Sequence, residues 1–194
     1  TGPITRRTMA GESVSLLGFG CMRLPMIGDK VDIPQTTKMV DTFLSRGFNY
    51  FDTAHGYLGG KSETALRRCL TSRYPREAYE LTNKITLGFV KTEEEQEPYF
   101  RNQLERCGVE YFDFYLLHCV NAERWKMVLE NGILDMLIEE QKKGRIRRLG
   151  FSFHDSAEVL DQILTDRPEM EFVQLQINYL DWESDWIQSR ANLE

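Results

Sequence analysis

Long apolar runs are missing from this chain of 194 residues. No stretch approaches the ~20 residues of a membrane-spanning helix, so no membrane partner is expected. The first residues, Thr1-Gly2-Pro3, open no basic-then-apolar leader. Cysteine is sparse: Cys21, Cys69, Cys107 and Cys119 have no paired spacing, which excludes both a disulfide framework and a thiolate zinc set. That scarcity predicts a reducing, cytoplasmic setting. Basic excess is lacking as well. The net charge of −6 argues against a nucleic-acid partner, whose phosphates need a basic face, but not against a small anionic cofactor held by a local cluster. Neither the G-x-G-x-x-G dinucleotide turn nor the G-x-S-x-G serine turn is present. No low-complexity tract or linker divides the chain, which predicts a single domain over 1–194.

What is present is a series of β-like runs, each ending on a polar or small residue. Leu16 to Gly20 is the first. Phe48-Asn49-Tyr50-Phe51 runs into Asp52, and Tyr79 to Asn83 into Lys84. Phe112 to Leu117 runs into His118, Ile146 to Phe151 into Ser152, and Phe172 to Leu175 into Gln176. The steps from Gly20 through Asp52, Lys84, His118 and Ser152 to Gln176 are 32, 32, 34, 34 and 24 residues. Each is about one βαβ interval of 30 or more residues. Strands at that spacing form a parallel sheet with helices outside. If it curls into a barrel, the strand ends converge on one pocket.

The intervening segments read as helices. Asp32 caps the first, Pro34 lies in its first turn, Met39, Val40, Phe43 and Leu44 form its apolar face, and Gly47 stops it. A second starts near Ser62-Glu63 and buries Leu66 and Leu70. A third lies in 92–107, starting either at the Thr92/Glu95 capping box or at Pro98, and Gly108 ends it. A fourth stretch, 123–143, is interrupted at Asn131-Gly132, and a fifth begins at Asp155. Residues 4–17 alternate about Ala10-Gly11-Glu12, as a hairpin does. The terminal Leu193-Glu194 is set aside.

Asp52, Tyr57, Lys84 and His118 form a chemically coherent set. A carboxylate keeps a neighbouring ammonium charged, and a charged ammonium lowers the pKa of a nearby phenol from about 10. Tyr57 would then exchange a proton near neutral pH, and a neutral His118 would orient a carbonyl. The set suits protonation of a carbonyl oxygen while hydride arrives at its carbon. A Schiff-base role for Lys84, as in a barrel aldolase, is a competing reading.

These residues carry a family likeness. Leu17-Gly18-Phe19-Gly20, Phe51-Asp52-Thr53-Ala54-His55-Gly56-Tyr57, Ser62-Glu63, Thr82-Asn83-Lys84, Leu116-Leu117-His118, Gly150-Phe151-Ser152 and Gln176 together resemble the aldo/keto reductase superfamily. The resemblance implies a (β/α)8 TIM barrel with an N-terminal β-hairpin closing its base, here truncated to about six β/α units. It implies NADPH-dependent reduction of an aldehyde or ketone, a small-molecule carbonyl substrate, with NAD not excluded. It implies a catalytic tetrad of Asp52, Tyr57, Lys84 and His118 with Tyr57 as general acid. Ser152 and Gln176, with Asp52 and Gly20, would hold the nicotinamide cofactor. Phe153 stands where the family often has Asn. The turn after Tyr57 is similar to a branch whose members often carry a C-terminal iron–sulfur segment, so such a cluster is expected only in a segment beyond these residues. No metal site is expected within them.

Other readings compete. A non-catalytic nicotinamide-binding or regulatory protein on the same barrel would keep the same pocket. His55 and His154 are structural or substrate-adjacent, while Cys21 and Cys119 border the pocket. Trp125, Trp182 and Trp186 either shape it or pack. The run Lys142, Lys143, Arg145, Arg147, Arg148 is read as a solvated face. Six strands leave two open edges, which predicts self-association and weak cofactor binding with impaired activity.

Overall fold

Strands buried on both faces need apolar residues in continuous runs, and that is where this sheet forms. The computed structural model describes residues 5–90, 92–185 and 187–194. Trp186 and residue 4 of the expected hairpin lie outside them. Six strands pair in the order β10-β9-β8-β7-β6-β3: β3 (Gly18–Gly20), β6 (Tyr50–Asp52), β7 (Glu80–Ile85), β8 (Phe112–Val120), β9 (Ile146–Phe153) and β10 (Phe172–Leu175). All the pairings are parallel. The hairpin is β1 (Arg6–Met9) against β2 (Glu12–Ser15). It closes the end where strands begin: Ser15 N–H donates to Asn49 Oδ1 at 2.9 Å, and Arg148 pairs with Glu12 at 3.2 Å. The first parallel strand starts at Gly18 rather than Leu16, and Leu16 and Leu17 are exposed. A two-residue ladder, β4 (Met26–Ile27) with β5 (Lys30–Val31), is too short to show any periodicity and was not expected.

Side-chain alternation sorts the sheet into two faces. Phe51, Tyr115 and Phe151 face outward: Phe51 meets Phe43 of α1 (Ile33–Ser45), Tyr115 meets Phe100 of α3 (Glu93–Cys107), and Phe151 meets Trp125 of α4 (Ala122–Glu130). Inside, Tyr50, Phe114 and Phe172 from alternate strands touch edge to face at 5.7 and 5.4 Å, a barrel-type interior layer. Gly150 is required there, because a Cβ at that position would collide with the Phe172 carbonyl.

The helices follow their local signals. Asp32 accepts the Gln35 N–H at 2.9 Å at the start of α1. The Thr92/Glu95 capping box starts α3, and Pro98 lies inside it, within the second turn. Gly108 ends α3 in the left-handed region at φ 68°, the usual glycine terminator. α2 (Lys61–Leu66) continues as a wider turn through Thr71. Gly132 separates α4 from α5 (Ile133–Lys142). α6 (Ala157–Asp166) is capped by Ser156, not Asp155, whose carboxylate instead accepts the Ala122 N–H of α4 at 2.8 Å. α7 (Ser189–Leu193) takes in Leu193, and Glu194 pairs with Arg190. Among the described residues no helix is long and apolar enough to cross a membrane.

The basic run is ion-paired rather than simply solvated. Lys142 meets Glu139, Lys143 and Arg145 meet Glu140, Arg147 meets Asp113, and Arg148 meets Glu12 and Glu171. Glu139 and Glu140 lie in α5 just before the run, whereas Asp113, Glu12 and Glu171 come from other parts of the chain, which a local reading of the run does not reveal.

Candidate active site

Strand tilt assembles the site. Asp52 is registered with Thr82, and Lys84 lies two residues beyond it. Lys84 is registered with Leu116, and His118 lies two beyond. Leu117 is registered with Phe151, so Ser152 comes level with His118 where the β8 irregularity begins. Ser152 is registered with Gln174, and Gln176 lies two beyond. Steps of two or of none keep the side chain on the inner face, and the stagger at three of the four steps brings all five to one rim. Gly20 sits opposite Asp52.

Lys84 is the centre. It is only 1% exposed, and its ammonium donates to Asp52 Oδ1 at 2.5 Å, to the Thr53 carbonyl at 3.0 Å and to Tyr57 Oη at 3.3 Å. Those contacts use the three donors an ammonium has. Tyr57 opens a short turn, Tyr57–Gly60, in which Leu58 and Gly59 adopt φ of 54° and 62°. The Tyr57 and His118 rings meet edge to face at 5.8 Å. His118 Nδ1 lies 3.2 Å from Thr86 Oγ1. A cavity of ≈ 240 Å³ is lined by Tyr57, Lys84, His118, Ser152 and Gln176, together with His154 and Gln174. A roomier hollow of ≈ 380 Å³ between β3 and α1 is lined mainly by Leu17, Phe19, Met39 and Phe43, and its lining has no acid–base pair.

Electrostatics correct one expectation. Burial raises the Tyr57 phenol above its ordinary value, and the opposing pull of Lys84 is the smaller effect. The phenol is therefore protonated throughout the neutral range, a donor rather than a half-ionised group. His118 is pushed down to about 4, by burial first and then by Lys84, His154 and Arg124. It is neutral at neutral pH, as expected. Burial and Arg124 also lower His154.

The remaining expected residues fall into place unevenly. Ser152 Oγ accepts the Cys119 N–H at 2.8 Å and keeps its own proton to donate. The Gln176 amide is turned toward Asp181 at 3.3 Å. Gln174, not anticipated, donates to Asp52 Oδ2 at 3.3 Å across the mouth of the sheet. Its signal was its inward position in β10, two residues from Gln176. Gly20 leaves open space, since nothing lies within 4 Å of an added Cβ. Phe153 is buried in the core. Cys21 is fully buried, whereas Cys119 sits at a β8 irregularity with φ 57°. Such bulges re-aim neighbouring side chains, here beside His118. Among the described residues no cluster of His, Cys, Asp and Glu is placed to hold a metal. A hydroxyl and two carboxamides in one cavity, Ser152, Gln174 and Gln176, fit the polar edge of a planar carboxamide ring.

Comparison with known proteins bears on the fold and the family. The model of the aldo/keto reductase family matches residues 16–194. An aldo-keto reductase of Mycobacterium avium is 28% identical over 136 residues, covering 67% of this chain and 44% of that protein. L-galactose dehydrogenase of Arabidopsis thaliana is 28% identical over 154 residues, covering 73% and 46%. Among solved structures, an aldo-keto reductase from Klebsiella pneumoniae in complex with NADPH superposes with a TM-score of 0.74 at 19% identity, covering 94% of this chain and 63% of that one. The chain thus spans about half the length of the curated relatives it matches.

Proposed function

The chain belongs to the aldo/keto reductase family, and from that premise we propose that it forms the proton-handling part of an NAD(P)H-dependent oxidoreductase that reduces an aldehyde or ketone. The observation that carries the reading is the Lys84 ammonium held between Asp52 and the Tyr57 hydroxyl at the wall of one cavity. A reduced nicotinamide, when bound, supplies hydride to the carbonyl carbon. Ser152, Gln174 and Gln176 are the residues that would hold its carboxamide. Tyr57 Oη donates its proton to the carbonyl oxygen. Lys84 stabilises the phenolate that remains, and Asp52 pairs with the Lys84 ammonium and aims it. Neutral His118, tied at Nδ1 to Thr86, leaves Nε2 for the substrate oxygen.

The geometry disfavours the Schiff-base alternative. A lysine whose three N–H donors are all engaged has no lone pair to offer a carbonyl. The NADP preference is inherited from the family resemblance. The edges of β3 and β10 lack a further strand partner among the described residues, which supports association of chains through them. Light scattering over a concentration series tests that. The reaction is tested by following nicotinamide absorbance across a panel of carbonyl compounds with parent protein and Tyr57→Phe. Turnover in the parent and its loss in the variant are expected. Equal rates in both would overturn the assignment of Tyr57, and a cofactor-binding protein that turns over nothing would show none in either.

A further inference from the structure

Behind the site lies a carboxylate that no step above uses. Glu63, in α2, is fully buried. Four side chains converge on it. Asn83 Nδ2 and Gln103 Nε2 donate to Oε1 at 2.9 and 3.0 Å. Arg106 Nε donates to Oε2 at 2.7 Å, and His55 Nδ1 lies 3.0 Å from the same oxygen. Burial alone would raise its pKa, but these hydrogen bonds hold it below the ordinary carboxylate value. A buried anion is a poor choice for stability alone, because well-packed apolar residues often do as well.

The partners show what the carboxylate joins. His55 lies two residues before Tyr57. Arg106 also donates to the Gly60 carbonyl, at the far end of the Tyr57 turn. Asn83 precedes Lys84 and accepts the Lys84 N–H at 2.8 Å, while Gln103 donates to the Lys84 carbonyl at 3.0 Å. One carboxylate therefore grips the Tyr57 turn on both sides and the Lys84 peptide on both sides. The turn has an uncommon backbone: Leu58, Gly59 and Gly60 all have positive φ, a conformation that a side chain such as Leu58 rarely adopts. The contact at stake is already long, 3.3 Å between Nζ and Oη, and a small drift would break it.

We propose that Glu63 is a positioning residue that sets the separation of the Tyr57 hydroxyl from the Lys84 ammonium by fastening the turn that carries one to the strand that carries the other. The role rests on the reading of Tyr57 as proton donor, but its test does not depend on turnover. The protein is labelled at tyrosine Cζ with carbon-13, and the Tyr57 resonance is identified by its loss in Tyr57→Phe. That phenol faces Lys84, Asp52, His118 and Cys119. In Glu63→Gln the resonance moves and its alkaline titration shifts upward as the ammonium is lost. Carbonyl turnover falls on the order of tenfold to a hundredfold in kcat, with KM little changed. Should Glu63→Gln not fold, Arg106→Met, altered at a partly exposed side chain, is expected to give a smaller displacement of the same sign. A folded variant with lowered thermal stability but a Tyr57 resonance and titration identical to the parent would overturn the proposal and leave Glu63 purely structural. A displaced resonance in a protein that reduces no carbonyl would uphold the positioning role and reject the reaction. An active parent whose variants keep both rate and resonance would do the reverse.

Discussion

Each end of the sheet carries a carboxylate held by cations, and the two are finished differently. At the end where strands begin, Asp113 is fully buried and saturated: Arg76 and Arg147 pair with it and the Leu81 N–H donates to it at 2.7 Å. Arg76 and Arg147 also lie over the Tyr111 ring, at 4.0 and 4.2 Å. The hairpin closes this end through Glu12 and Arg148. At the opposite end, Asp52 has Lys84 and a long contact from Gln174. Beside it a phenol, an imidazole and a serine hydroxyl face a cavity. A charge surrounded by fixed partners stabilises one structure. A charge with open space beside it can respond to a ligand.

The contrast can be broken from either end. Tyr57→Phe carries the largest expected effect, a loss of turnover of about 10²–10⁴-fold, with thermal stability changed by no more than ~1 kcal/mol. A melt that collapses along with activity would erase the distinction. Asp113→Asn, at the sealed end, should instead cost about 1–3 kcal/mol in denaturant unfolding by taking the carboxylate charge from the part-buried Arg76 and the more exposed Arg147, while the rate per folded molecule stays the same. A cost below ~1 kcal/mol would show that the saturated cluster is not structural.

Cys119 sharpens the rim side. Its left-handed backbone beside His118 should make Cys119→Val cost about 1–3 kcal/mol, whereas Cys119→Gly is tolerated. Equal melting temperatures for the two variants would remove strain from the account. The smallest effects are in pH. Glu80, at the sealed end, is raised to about 8 by burial and then by Asp113. The folded state therefore binds its proton more tightly than the unfolded chain does, so this contribution is present in acid and lost as pH rises from about 4.5 to about 8. Glu80→Gln should raise the melting temperature at the alkaline side of that window and flatten the curve. His118 has the opposite sign. Depressed from 6.5 to about 4, it gives stability that is present above 6.5 and lost as pH falls through 4. His118→Gln should remove that acid-side slope, and an unchanged slope would argue that the ring is not buried.

Much of this was legible locally, and the failures share a cause. The spacing of strand ends brought Asp52, Lys84, His118 and Ser152 to one face, because parallel strands joined by helices end on the same side of a curled sheet. It could not choose between Gln174 and Gln176, which share that face. The stagger that levels Gln174 with Ser152 comes only from pairing. The basic run from Lys142 to Arg148 looked solvated because the partners of Arg147 and Arg148, which are Asp113, Glu12 and Glu171, are remote, Glu12 by 136 residues. The capping box of α3 was visible, but whether Pro98 displaced it was not, since a helix can equally begin with proline in its first turn.

By itself the sequence determined the strand–helix rhythm, the inward rank of polar strand ends and the acid–ammonium–phenol set, because each depends on spacing along one chain. The tertiary structure alone decided which charges are saturated and which face a cavity, and that burial outweighs Lys84 in setting the Tyr57 phenol. Desolvation depends on everything packed around a group, and those neighbours are contributed by strands and helices far apart in the chain.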